Sequence, residues 1–209
     1  MGHGTHAVQH EVEHTIKHED AHHGARDLLE SRNKKIALLI AVIALFLALS
    51  ETLGKSEQTS ALSHNIEAAN LWAFFQAKTI RITTLRTAAD TRKIDAEAAA
   101  DAAVKATMTQ QIDGWLRTAA RYEDEADPPE GRKQLAARAK AAEAKRDTAL
   151  ARYHHYEVAS AAFQIGIVLA SATVITGMLA LAWLAGGLAL AGLGFMGIAL
   201  AAPHAVHLF

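Results

Sequence analysis

Residues Leu71–Arg86 read LWAFFQAKTIRITTLR. Trp72, Phe74 and Phe75 stand together and are followed by Lys78, Arg81 and Arg86. On one side lies an apolar run, Ile36–Leu53; on the other lies a polar, alanine-rich region reaching to Glu157. Where these aromatics rest decides the topology. Against a polar core they would belong to a helical stalk; at a bilayer boundary they would anchor it, because tryptophan is enriched there and cations suit the headgroup side.

Working toward the N-terminus, residues 55–70 (KSEQTSALSHNIEAAN) contain no helix breaker. Ser63, His64, Glu67 and Asn70 share a polar face, and Leu62, Ile66 and Ala69 an apolar one, the pattern of an amphipathic helix. Residues 34–54 hold Lys34-Lys35 and then the Ile36–Leu53 run of 18 positions, interrupted only at Ser50, Glu51 and Thr52. That is near the lower limit for a span. The 35 residues before it exceed the n-region of a signal peptide, which favours a retained helix. Glu51 sits at the far end of the run, where a carboxylate either reaches the water boundary or marks an ion path.

Residues 1–33 are histidine-rich, with His6, His10, His14, His18 and His22 recurring every fourth position. If the segment is helical, these lie one turn apart and could weakly hold Zn²⁺, Ni²⁺ or Cu²⁺. The same composition also suits a disordered, solvated tail. No other cofactor is indicated.

Toward the C-terminus, residues 81–157 read as a polar helical hairpin, a coiled-coil-like stalk. Val104, Met108, Ile112, Trp115, Ala119 and Tyr122 follow spacings of three and four, and Pro128-Pro129 forces a turn. Val158–Ala202 contains no Asp, Glu, Lys or Arg. It divides into expected spans at 158–184 and 188–202, joined at Ala185-Gly186-Gly187. Gly187/Ala191 and Gly197/Ala201 are small-xxx-small pairs suited to close helix packing.

Lengths and charges sharpen the picture. At 1.5 Å per residue a helix over 55–126 would reach about 108 Å, while 131–157 would return only about 40 Å. Either the first arm breaks near residues 88–101 or its opening portion does not rise from the membrane. Arg26, Arg32, Lys34 and Lys35 precede the first span, and Lys140, Lys145, Arg146 and Arg152 precede the second. Both starts therefore read as cytoplasmic. A re-entrant or interfacial segment at 55–80, held by Trp72, Phe74, Phe75, Lys78 and Arg81, reconciles the two.

The expected fold is thus all-α: three transmembrane helices, an amphipathic interfacial or re-entrant segment, and a helical stalk. The chain has 21 Lys+Arg against 22 Asp+Glu and no cysteine. Balanced charge argues against nucleic-acid binding, and disulfides are excluded. No nucleophile elbow, phosphate loop or HExxH motif appears, which argues against an enzyme. The expected partners are the lipid bilayer and either further copies of the chain or other membrane proteins.

LWAFFQAKTIR, together with SETLGKSEQ, EGRKQLAARAKAAEAKRD, RYHHYE and QIGIVLASATVITG, resembles a family of small bacterial membrane proteins built on a domain of unknown function. The likeness extends over most of residues 31–200, and relatives also carry a histidine-rich tail. It implies a multi-pass protein of the bacterial inner membrane with a helical middle, and no known activity. Two functions compete: a structural or scaffold protein, and an oligomeric ion or metal path using Glu51, His64 and Glu67.

Overall fold

The computed structural model describes the backbone of residues 4–125 and 128–206, and side chains for residues 30–125 and 128–206. Four helices follow in order: α1 (Gly4–Ala98), α2 (Ala102–Glu123), α3 (Arg132–Thr176) and α4 (Leu179–Ala201), with no strand among the described residues. Among the described residues, three helical stretches are long and apolar enough to cross a membrane, in Glu30–Ala98, Arg132–Thr176 and Leu179–Ala201. The backbone of residues 4–33, expected as a disordered tail, belongs to α1; between residues 5 and 35 there is one glycine, Gly24, and no proline to break it.

The chain forms two compact units. Unit 1 is residues 1–54 with 154–209, and unit 2 is residues 55–153. Unit 1 packs parts of α1 and α3 with α4. Ile36, Ala170 and Ala185 form one buried cluster, and Ile43, Ala159 and Phe163 another. Buried residues recur every seventh position: Ile36, Ile43 and Ser50 on α1; Tyr156, Phe163 and Ala170 on α3; Ala185, Gly192 and Ala199 on α4. A seven-residue repeat is the signature of helices that wind round one another. Gly192 lets Phe163 sit against the α4 backbone, since a Cβ there would lie 2.7 Å from the ring.

The link between α3 and α4 departs from expectation. The turn falls at Gly177-Met178, and α4 runs straight through Ala185-Gly186-Gly187. Gly177 has φ of +72°, which only glycine adopts cheaply. Its N–H donates to the Thr173 carbonyl at 2.9 Å and closes the helix. Length supplies the reason. A break at residues 185–187 would leave 188–202 at about 22 Å, whereas α4 at 23 residues reaches about 34 Å.

Unit 2 resolves the arm-length conflict by breaking the first arm at Ala99–Asp101. Asp101 caps α2, accepting from the Ala103 N–H at 2.7 Å and the Val104 N–H at 3.4 Å. The outgoing part of α1, Lys55–Ala98, has 44 residues (98 − 55 + 1), while α2 has 22 and the unit-2 part of α3, Arg132–Tyr153, has 22 (153 − 132 + 1). Two half-length helices return along one full-length helix. The contacts keep that order: Arg86 meets Glu123 at the end of α2, Phe75 lies under Arg132 at the start of α3, and Glu57 meets Arg152.

The inner face of α1 in unit 2 also follows a seven-residue repeat. Ala61, Ala68, Ile82, Ala89 and Ala96 are buried, with Phe75 half-buried in the same row. Leu71 lies in a second row with the half-buried Glu57, His64, Lys78, Leu85 and Arg92. Opposite them α3 presents Leu135, Ala139, Ala142 and Ala149, all buried. Alanine in these rows allows close backbone approach, and the charged positions in the second row fix register.

Candidate functional site

The Leu71–Arg86 stretch is where the three helices of unit 2 are joined. Leu71 and Ala68 pack against Leu135, Ala139 and Ala142, with Trp72 and Phe75 closing over them. The Trp72 indole N–H donates to Glu143 Oε1 at 2.8 Å, and Trp72 meets Phe75 edge to face at 5.3 Å. Lys78 donates to Glu125 Oε2 at 3.3 Å and lies 4.7 Å from the Tyr122 ring centre. Arg132 donates twice to Glu123 Oε1, at 2.6 and 3.1 Å. Lys78 and Glu125 side chains are only 14% and 20% exposed; removing Glu125 strands the Lys78 charge away from water, whereas Glu125 keeps Arg121 at 3.9 Å.

The α2–α3 turn is held by its own polar groups. Asp124 accepts from Gln134 at 2.6 Å and Lys133 at 3.0 Å, and these bonds hold its carboxyl below the usual carboxylate value of 3.8. Gly131 N–H donates to the Glu125 carbonyl at 3.2 Å. A Cβ on Gly131 would run into the Glu125 backbone nitrogen and the Gln134 side chain.

Of the expected boundary anchors, Trp72, Phe75 and Lys78 therefore make contacts within unit 2, while Phe74 and Arg81 point outward. Of the expected polar face, His64 is half-buried and lies 3.4 Å from Glu67, and Ser63, Glu67 and Asn70 are exposed. Glu51 belongs to unit 1 and these four to unit 2. Gly187, Ala191, Gly197 and Ala201 all lie on the exposed side of α4; within the chain, α4 packs through Ala185, Gly192 and Ala199. The side chains of His6, His10, His14, His18 and His22 lie outside the described residues. Among the described residues no cluster of three or more metal-ligating side chains occurs.

A second polar cluster lies in unit 1, and of its members the sequence reading singled out Glu51 alone as a candidate. Ser50 is fully buried and donates to the Tyr156 carbonyl at 2.9 Å. Glu51 accepts from Gln164 at 3.2 Å. His155 is 1% exposed; its Nε2 donates to the Pro203 carbonyl at 3.0 Å, and its ring stacks on Phe195 at 6.1 Å. These groups tie α1, α3 and the end of α4 together. Ser50 and His155 each spend a hydrogen on a backbone carbonyl, which fixes helices. The signal that would have found Ser50 is the seven-residue step from Ile36 through Ile43; no such step points to His155.

The sequence model of DUF4337, a domain of unknown function, matches residues 32–202. The chain belongs to the DUF4337 family. The match takes in the Leu71–Arg86 joint and, apart from Pro203, the Ser50–His155 cluster. No curated protein and no solved structure matches the chain.

Proposed function

We propose that this DUF4337 protein is a non-enzymatic, membrane-anchored helical scaffold that associates with itself or serves as an accessory subunit of a membrane complex. One observation carries the reading. A chain with three apolar, span-length helices also folds 99 polar, alanine-rich residues (153 − 55 + 1) into a braced unit of three helices. The polar groups of that unit are spent on bracing: Trp72 on Glu143, Lys78 on Glu125, Arg132 on Glu123, Arg152 on Glu57. Such a unit offers shape and surface rather than chemistry. Its setting is a bacterial inner membrane, crossed more than once, and the exposed Phe74 and Arg81 suit an interfacial position for residues 55–80.

Glutaraldehyde crosslinking and native mass measurement of the full chain in membranes test the scaffold reading. Oligomers or a stoichiometric partner are expected; a lone monomer refutes it. Single cysteines at residues 20, 90 and 205, labelled from each side, map sidedness without background because the chain has none of its own. Glu51 supports a second reading, an oligomeric ion or metal path, because its exposed carboxylate lies at the end of an apolar run. Proton, potassium and divalent flux in liposomes, compared with Glu51→Gln and Glu67→Gln, decides it: no flux in wild type removes the reading.

A further inference from the structure

The outer face of α1 in unit 2 carries a second seven-residue repeat. Thr59, Ile66, Ala73, Ile80, Thr87 and Ile94 lie seven apart, and Ser63, Asn70, Ala77, Thr84 and Thr91 form the adjoining row. All eleven are exposed and none is charged. In a helix packed by one face only, the outermost position is where charged residues collect. Here Ile66, Ile80 and Ile94 occupy it, 53%, 66% and 69% exposed.

Three of the four threonines in these rows are prepared for loss of water. Thr59, Thr84 and Thr91 each donate their hydroxyl to the carbonyl four residues back, at 2.9 to 3.0 Å. Thr79 and Thr83, beside the rows, do the same. With its hydroxyl bonded inward, a threonine can be covered without leaving a buried donor unpaired. Around Ile80, Thr79, Thr83, Thr84 and Thr91 line a shallow groove with Thr87 and Ala88.

Periodicity identifies the class of occupant. A stripe repeating every seven residues drifts about 20° per heptad around a straight helix, hence about 100° over five heptads. It walks off a flat lipid surface but stays against a helix that winds with it. Charge narrows the occupant further. Two identical charged faces would repel, whereas two copies of this uncharged face do not. Area is adequate: 36 residues rise about 54 Å, and a strip about 10 Å wide gives about 500 Å² per copy, or about 1,000 Å² for a pair, the lower bound for a specific contact.

We infer that the Thr59–Ile94 face of α1 is a self-association seam whose occupant is the same face of a second copy. This rests on the self-associating form of the scaffold reading and names its surface. The test uses the full-length, naturally cysteine-free chain in liposomes, with single substitutions Ile80→Cys, Ile94→Cys and, on an exposed face of α2, Arg117→Cys. Mild oxidation is expected to give disulfide dimers at least tenfold more abundant at residues 80 and 94 than at 117. Ile80→Glu, checked for unchanged helix content, is expected to lower the glutaraldehyde-crosslinked dimer at least tenfold. Dimers at 117 as abundant as at 80 and 94, or none at the latter two, overturn the seam. Oligomers with glutaraldehyde but no dimers at 80 or 94 overturn the seam alone; absence of both overturns self-association as well. Quenching of labels at 80 and 94 by brominated lipid would show a bilayer as occupant and likewise overturn it.

Discussion

Replacing Leu135 with alanine tests whether the Leu71–Arg86 stretch is the joint of unit 2. Leu135 is 4% exposed and sits among Ala68, Leu71, Ala139 and Ala142. Burial of a leucine followed by truncation costs about 2–5 kcal/mol, depending on how far neighbours collapse into the hole. Three of the four neighbours are alanines, which have no rotatable side chain to move inward. Only Leu71, Trp72 and Phe75 can shift, and Trp72 is tied to Glu143. The expected loss is therefore in the middle of that range, about 3 kcal/mol. Amide hydrogen exchange on the full chain in detergent reads this directly, as about 150-fold faster exchange in Arg132–Tyr153 at 1.4 kcal/mol per tenfold. Leu150→Ala, at a residue 37% exposed, serves as the control and should change exchange less than tenfold. If the two variants behave alike, Leu135 is not in a tight core and the joint is misplaced.

Three further outcomes follow from single contacts. Asp101→Ala removes the α2 N-cap and should cost about 1 kcal/mol, seen as faster exchange confined to residues 102–106. Gly192→Leu should force Phe163 from its place against α4 and lower the thermal midpoint in detergent, whereas Gly187→Leu, at an open position, should leave it within a few degrees. Asp124 has a depressed carboxyl in the folded chain. Its contribution is then complete above the unfolded value and is lost as pH falls through the folded one. Below pH 4 the α2–α3 turn of wild type should loosen, by proteolysis or exchange, with a dependence that Asp124→Asn lacks.

The all-helical class, the three apolar stretches and the turn at Pro128-Pro129 were legible because length, hydropathy and proline act locally. The α2 stripe was legible too: Met108, Ile112, Trp115, Ala119 and Tyr122 do turn inward, and only Val104 faces out. What escaped was nonlocal. Asp101 caps α2, and the run of alanines around it gives no warning that the chain reverses there. The warning lay in the repeat itself. The inner rows of α1 fall on Ala89 and Ala96, and those of α2 on Ile112 and Ala119, so the seven-residue count slips between residues 96 and 112. The partners of Trp72 and Lys78, Glu143 and Glu125, lie 71 and 47 residues away, beyond the reach of any local pattern. The small pairs on α4 were recognised as packing elements, but small size alone does not say which side of the helix meets a neighbour within the chain.

The alanine row of α1 also restricts how a chain of this kind can change in length. Adding one residue just after Ala61 would rotate everything beyond it by about 100° and carry Arg81 to the buried place of Ile82 and Asp95 to that of Ala96. Seven added residues would preserve the face but lengthen one arm, so α2 or α3 would have to grow by seven as well. Single insertions have room only at Ala99–Asp101 and at the α2–α3 turn, where the count is already interrupted. Such a chain should vary in quanta, by whole heptads and in pairs, with its irregular lengths gathered at two corners.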